Sequence, residues 1–292
     1  MKTRIATIAL AACAGCHVAL ASLHENLLSI LNKANLLHSY ILMDSKTLPK
    51  ELDVTLVEGS VRTTHDEELL KEAREKSKII VAVGSCSCYG GIHSLSNLTP
   101  LNDSLNFVYK NTFTTINGFI PKEELPEPQQ LVKPIDAIVN VDYKVPGCPP
   151  EVNELCNFLS SLLKGEEIIT QKISVCDECN REKTGVPPSI IKRIHKGLPD
   201  SKKCLLEQGY LCFGPITKGG CEAKCPNVNM PCEGCRGLRS ELGFYRCRIL
   251  DNISEKLSKT LIPLLFNRFN YGSIQLIWSY YEKLLRRKIK WF

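Results

Sequence analysis

Cysteine dominates the chemistry open to this chain. Between Cys176 and Cys235 eight cysteines fall as Cys176-x2-Cys179, Cys204, Cys212, Cys221, Cys225 and Cys232-x2-Cys235, with almost no histidine among them. A third CxxC, Cys13 and Cys16, closes an apolar run near the start. Two glycine-flanked cysteines stand farther along, Cys86 in Val-Gly-Ser-Cys and Cys148 in Pro-Gly-Cys-Pro-Pro. Thiolates are soft ligands, and sets of four select zinc or iron-sulfur clusters. Twelve thiols in three sets point to electron transfer. Paired active-site carboxylates, Gly-x-Gly-x-x-Gly, Gly-x-Ser-x-Gly and a nickel-site motif are all missing from the sequence.

The elements that must position these thiols read as alternating strands and helices up to about residue 165. Arg4 to Ala12 is expected as a strand, and His17 to Lys33 as a helix with Leu20, Leu23, Leu27, Leu28 and Leu31 on one face. Tyr40 to Met43 and Val54 to Val57 read as short strands. Thr63 and Thr64, followed three residues on by Asp66 and Glu67, form a capping-box pattern that opens a helix to Ser77. The β-branched run Ile79 to Val83 is a buried strand, Ala137 to Val141 repeats it, and a helix runs from Pro150 to Lys164. Three of the cysteine sites thus follow strands. In an open parallel sheet the carboxyl ends of strands line one crevice, so positions 13, 16, 86 and 148 converge. Residues 94 to 134 look like a long loop, either partner-facing or a plain surface excursion. From about Gln171 periodicity gives way to Gly, Pro and Cys, as in small domains that use metal where apolar burial is insufficient.

Composition restricts the setting. The chain has 292 residues, 43% of them apolar, which allows a buried core and two domains. Fifteen cysteines, an odd number in a chain of this length, do not make a secreted disulfide framework and fit a reducing, cytoplasmic compartment. The box Leu10-Ala11-Ala12-Cys13 imitates a lipoprotein signal, yet the segment before it is too short, and cleavage would remove a strand that leads into Cys16. The net charge of +6 is local. Residues 256 to 292 hold eight Lys or Arg against Glu282, leaving the rest of the chain near neutral. A basic tail, not a nucleic-acid groove, carries the charge.

Taken together, Cys13-x2-Cys16, Gly84-Ser85-Cys86-x2-Tyr89-Gly90-Gly91 and Val145-Pro146-Gly147-Cys148-Pro149-Pro150 resemble the small subunit of nickel-iron hydrogenases and its relative in respiratory complex I. The segments Cys204 to Cys212 with Gly214-Pro215-x-Thr217, and Pro231-Cys232-Glu233-Gly234-Cys235, are similar to the cluster domain that only the hydrogenase subunits carry. Within that family the chain resembles the cytoplasmic, archaeal-type group, whose members include the methyl-viologen-reducing enzymes that do not use deazaflavin and the deazaflavin-reducing enzymes. The resemblance covers about residues 4 to 250.

It implies an α/β fold: a flavodoxin-like open parallel sheet over residues 1–168, then a small irregular iron-sulfur domain over 169–250; beyond these, the interleaved apolar and Lys/Arg residues themselves read as a basic amphipathic helical tail over 251–292. It implies three 4Fe-4S clusters. Cys13, Cys16, Cys86 and Cys148 would hold the proximal one, Cys221, Cys225, Cys232 and Cys235 the medial, and Cys176, Cys179, Cys204 and Cys212 the distal. Cys225 stands where a proline commonly leaves relatives with a three-iron centre. The nickel-iron centre belongs to a separate large subunit, and electrons pass on to an iron-sulfur or flavin subunit serving heterodisulfide reductase, deazaflavin or NAD(P). His17 replaces an acidic residue common in relatives and is expected to be solvated or at an interface. Cys156 is expected to be a small buried side chain, and Cys88 and Cys247 have no assigned role. The alternatives are a complex I-like or membrane-bound oxidoreductase subunit, and a zinc-stapled scaffold using Cys176, Cys179, Cys232 and Cys235. The tail's apolar runs are too short to span a bilayer; packing on its own complex is weighed against lying on a membrane or in a partner's groove.

Overall fold

A computed structural model describes residues 2–45, 47–168, 173–239, 268–270 and 272–273. Its centre is a parallel sheet of β1 (Thr3–Ala9), β2 (Ala34–Ser39), β3 (Leu52–Glu58), β5 (Ser77–Val83) and β7 (Tyr143–Val145), in the order β2-β1-β3-β5-β7. Two further strands, β4 (Val61–Thr63) and β6 (Pro128–Lys133), pair antiparallel outside it. Counting sheet strands alone, the order is the 2-1-3-4-5 of flavodoxin-like folds, so the connections reverse direction beside β1. The segment that imitates a lipoprotein signal is a central strand.

Both sheet faces are covered, as a parallel sheet requires. Alternation in β1 and β5 sends Ile5, Val81 and Val83 to one face. There Leu20 of α1 (Gly15–Ala21), Leu23 just after it, Ile30 of α2 (Glu25–Lys33) and Leu155, Phe158 and Leu159 of α6 (Val152–Lys164) pack. It sends Ala6, Ile8, Ile80 and Ala82 to the other, against Leu70 and Ala73 of α3 (Thr64–Lys76). Each fully buried Leu or Ile contributes about 1.5–3 kcal/mol, so the two faces together fix the strand register. Helix α3 opens with the expected capping box: Asp66 N donates to Thr63 Oγ1 (3.2 Å) and Thr63 N to Asp66 Oδ2 (2.8 Å).

Four expectations need correction. The helix foreseen over His17 to Lys33 is two, α1 and α2, because His24 adopts a left-handed φ of 49° between them. Tyr40 to Met43 form an exposed turn, and the strand lies just before it as β2. Residues Ile135–Ala137 make a 3-10 turn, and the last sheet strand starts at Tyr143. The long stretch after residue 94 contains α5 (Leu101–Lys110) and β6, whose partner β4 is some 70 residues upstream. Beyond residue 173 a smaller core of Val175, Leu205, Leu206, Tyr210, Phe213 and Ile216 supports two short helices, α7 (Val175–Glu178) and α8 (Lys224–Asn227). The tail helix and Cys247 lie outside the described residues. Of the tail, the Gly272 N–H donates to Ser94 Oγ (2.9 Å).

Candidate metal centres

The first set of thiols stands at the carboxyl end of the sheet. After β1, Ala11 bridges to Ser60 (3.0 and 3.1 Å), and the chain turns through Ala14, at a left-handed φ of 64°, into α1 with Cys16 in its first turn. After β5, Gly84 leads into α4 (Ser85–Tyr89), which presents Cys86. After β7, Gly147 leads to Cys148, and the two exits are tied by Gly84 N to Val145 O and Ser85 N to Gly147 O, both 2.8 Å. The glycines leave room for sulfur. A Cβ on Gly84 (φ 90°) would lie 2.3 Å from Cys16 Sγ, and one on Gly91 would lie 2.5 Å from Cys86 Sγ. Burial raises Cys16 first, then Glu58 and the thiols of Cys86, Cys148 and Cys13; Cys86 is pushed up to about 12 by burial, then by Cys148 and Cys13. These four sulfurs lie close enough to feel one another's charge, which cations would relieve.

The second set lies in the smaller core. Cys176 and Cys179 come from α7, whose start is fixed by a Ser174–Asp177 capping box, and Cys204 and Cys212 flank the segment around Tyr210. All four line one cavity with Arg181, Lys183 and Gly214. Burial, then Cys212 and Cys204, pushes Cys176 up to about 12. A Cβ on Gly214 would be 3.1 Å from Cys176 Sγ and 3.7 Å from Cys212 Sγ. Lys183 Nζ donates to the carbonyls of Cys176 (2.7 Å) and Cys179 (2.8 Å), and buried Arg181 holds Pro226 O, Asp200 O and Lys203 O.

The third set lies between the other two. Burial pushes Cys235 up to about 11 and the charges of Cys221, Cys225 and Cys148 push in the same direction, while a hydrogen bond from the Cys148 backbone N–H opposes them. Cys232 is raised by burial and next by Cys212, and its own backbone N–H donates to Cys212 Sγ (3.2 Å). Two of the set's residues thus reach into the neighbouring sets, one on each side. Glu178 accepts from Gly220 N (2.5 Å) and Ala223 N (3.4 Å), shaping the loop around Cys221.

Sequence reasoning missed several polar residues around the thiols. His17 is buried, not solvated: Nδ1 is 2.5 Å from Glu58 Oε2, Nε2 is 2.8 Å from Thr7 Oγ1, and its backbone N–H also donates to Glu58 (2.8 Å). Arg236, 4% exposed, forks onto Glu154 of α6 (2.5 and 2.6 Å) and donates to Pro146 O (3.0 Å) and Gly219 O (2.9 Å). Glu58 was legible only as the polar end of a strand, and nothing local marks Arg236. Cys88 is fully buried in the sheet core, pushed up to about 12 by burial, with its S–H toward Ala82 O (3.5 Å); Cys156 packs at the edge of the other core face. Among the described residues no three His, Cys, Asp or Glu side chains are placed to share a single metal ion.

Residues 13–162 match the family model described as the 20 kDa subunit of NADH ubiquinone oxidoreductase. The chain is 43% identical over 275 residues, covering 92% of itself and 95% of the relative, to a subunit of the vhu F420-non-reducing hydrogenase of Methanocaldococcus jannaschii. The chain belongs to the nickel-iron hydrogenase small-subunit family. This hydrogenase subunit is also 35% identical to the iron-sulfur subunit of an F420-non-reducing hydrogenase of Archaeoglobus profundus, with 81% of this chain and 83% of that one covered. Among solved structures it is similar to a chain of an NAD+-reducing [NiFe]-hydrogenase in the H2-reduced state, with 35% identity and a TM-score of 0.56 over 59% of this chain and 96% of that one. Among the described residues of the hydrogenase subunit, no helix is long and apolar enough to cross a membrane.

Proposed function

We propose that this small subunit carries electrons from hydrogen oxidation in a nickel-iron large subunit to a low-potential acceptor of iron-sulfur or flavin type, and that it holds three 4Fe-4S clusters to do so. The observation that carries this reading is that the thiol sets adjoin in a row: Ser85, beside Cys86, donates its hydroxyl to the Cys235 carbonyl, and the Cys232 N–H donates to the sulfur of Cys212. When bound, each cluster supplies one-electron redox chemistry. Cys13, Cys16, Cys86 and Cys148 are assigned to the proximal centre, Cys221, Cys225, Cys232 and Cys235 to the medial, and Cys176, Cys179, Cys204 and Cys212 to the distal. All-thiol donor sets and glycines that leave space beside sulfur fit such groups. The Cys232 amide N–H on the sulfur of Cys212 stabilises negative sulfur there and so tunes potential.

A structural zinc would require Cys176, Cys179, Cys232 and Cys235 around one ion, with Zn–S distances of about 2.3 Å. Against this, Cys176 and Cys179 share a cavity with Cys204 and Cys212 that neither Cys232 nor Cys235 lines, which supports separate sets. Reduced thiols at Cys88 and Cys156 suit a cytoplasmic setting. We assign the organisation as 1–168, 169–250 and 251–292, with the tail packed on the complex. Heterodisulfide reductase, deazaflavin and NAD(P) modules all suit the relay. In anaerobically purified complex this chain should account for about twelve iron and twelve acid-labile sulfide per copy, over and above the iron of the partner subunits. Colourless protein with stoichiometric zinc would overturn the proposal.

A further inference from the structure

The surface beyond the Cys176–Cys212 cavity combines two properties that the relay reading does not explain. Residues 182–203 present Lys183, Lys192, Arg193, Lys196, Lys202 and Lys203 to solvent against Glu182 and Asp200. Among the described residues only Lys203 of these six is in an ion pair, with Asp200 at 3.8 Å. The same stretch exposes large apolar side chains: Val186 63%, Ile190 67% and Leu198 98%.

This basic, apolar strip is anchored rather than loose. Lys192 N donates to Gly209 O (2.8 Å), Tyr210 Oη to Gly197 O (3.3 Å), and Glu207 accepts from Thr184 N (2.9 Å) and Gly185 N (2.7 Å). It therefore rides on the segment that links Cys204 to Cys212. Asn229 Nδ2 donates to Pro199 O (3.3 Å), tying the strip to the segment that carries exposed Val228 and Met230. Lys183 ties one end directly to the carbonyls of Cys176 and Cys179.

We infer that this strip is the docking surface for an acidic electron-accepting protein, its cations steering a carboxylate-rich face and its apolar residues excluding water at the contact. The inference rests on the relay reading above. Interfaces of this kind pair complementary potentials for encounter and use apolar anchors for residence, and their strength falls with ionic strength. The opposite arrangement, a basic partner, would meet six cations.

Zero-length carbodiimide cross-linking of the native complex joins amines to carboxylates in contact, with mass spectrometry to read the products. Cross-links should run from Lys192, Lys196 or Lys202 to Asp or Glu of a redox subunit other than the nickel-iron subunit. The double variant R193E/K196E should release that subunit at an ionic strength at least threefold lower than wild type, with H2-dependent methyl viologen reduction within twofold of wild type, since a small dye needs no docking. Cross-links to the nickel-iron subunit, or release at the same ionic strength as wild type, would overturn the docking surface. Wild-type complex lacking iron in this chain would instead overturn the relay reading.

Discussion

Replacing Arg236 by Met should loosen the cysteine-rich segment while leaving the sheet intact. Arg236 makes four hydrogen bonds: three close residues 219–236 onto the first part of the chain, two to Glu154 on α6 and one to Pro146 O, and the fourth, to Gly219 O, braces the segment itself. Methionine fills comparable volume but donates nothing. Breaking a buried pair costs about 3–5 kcal/mol when the remaining charge stays buried. Glu154 is 30% exposed and can rehydrate, which lowers that figure, while each carbonyl left covered adds about 1–3 kcal/mol. A net loss of about 3 kcal/mol follows, and at about 1.4 kcal/mol per tenfold it raises the population of the opened segment about 100-fold. Amide hydrogen exchange on the complex reads this directly: residues 214–239 should exchange about 100-fold faster, and the amides of β1, β3 and β5 should keep their wild-type protection. R236K should rescue only in part, because one ammonium cannot fork onto a carboxylate and two carbonyls. Glu154→Gln should cost less than R236M. Unchanged exchange in R236M, or equal losses across sheet and segment, would show that the seam is held by other contacts.

Gly84→Ala places a methyl 2.3 Å from Cys16 Sγ at a φ of 90°, so the purified complex should lose about four iron atoms per copy of this chain relative to wild type, measured by iron analysis, while the rest of its iron remains. Thr63→Ala removes the α3 cap and should lower stability by about 1 kcal/mol, seen as a lower melting temperature without loss of iron. The Asp53 carboxyl is held well below the usual carboxylate range, chiefly by the hydrogen bond from Lys78 and the backbone N–H of Arg4 (each 2.8 Å). Because its folded value is depressed, the stability it gives is present above the unfolded value near pH 4 and is lost as pH falls through the folded value. Asp53→Asn should therefore lower the melting temperature at pH 7 by an amount that shrinks as pH drops below about 4; a constant deficit across that range would count against the carboxylate as the cause.

Much of the fold was legible where one local signal and the tertiary environment agree. Thr63 and Asp66 announce the start of α3 and make the cap, and Ile79 to Val83 is apolar because both sheet faces are covered. The failures have a common physical origin. Tyr40 to Met43 has strand composition but follows the last paired residue of β2: Tyr40 N still donates to Thr7 O (3.3 Å), and Met43 N then turns back onto Ser39 O (3.1 Å), closing a turn instead of extending the strand. Residues 137–141 are apolar because they pack on α3's face of the sheet, not because they pair within it. β6 depends on pairing with β4, a contact no window of sequence contains. The same holds for the thiols and their surroundings. Spacing marks the three CxxC pairs, because sulfur ligands often come in local pairs, and the expected strand ends bring Cys86 and Cys148 to the first of them, while the isolated Cys204, Cys212, Cys221 and Cys225 are assigned to sets only through the family resemblance. Arg236, Glu58 and Glu178 act across 82, 41 and about 42 residues of chain, and only folding reveals them.

The junctions between thiol sets bear on how the protein is assembled. At one of them the main-chain amide of Cys232 points at the sulfur of Cys212, so the peptide plane beside Cys232 is fixed by a cysteine assigned to the neighbouring set. Displacing Cys212 therefore also removes an anchor of the Cys232 backbone, and the two neighbouring loops order together.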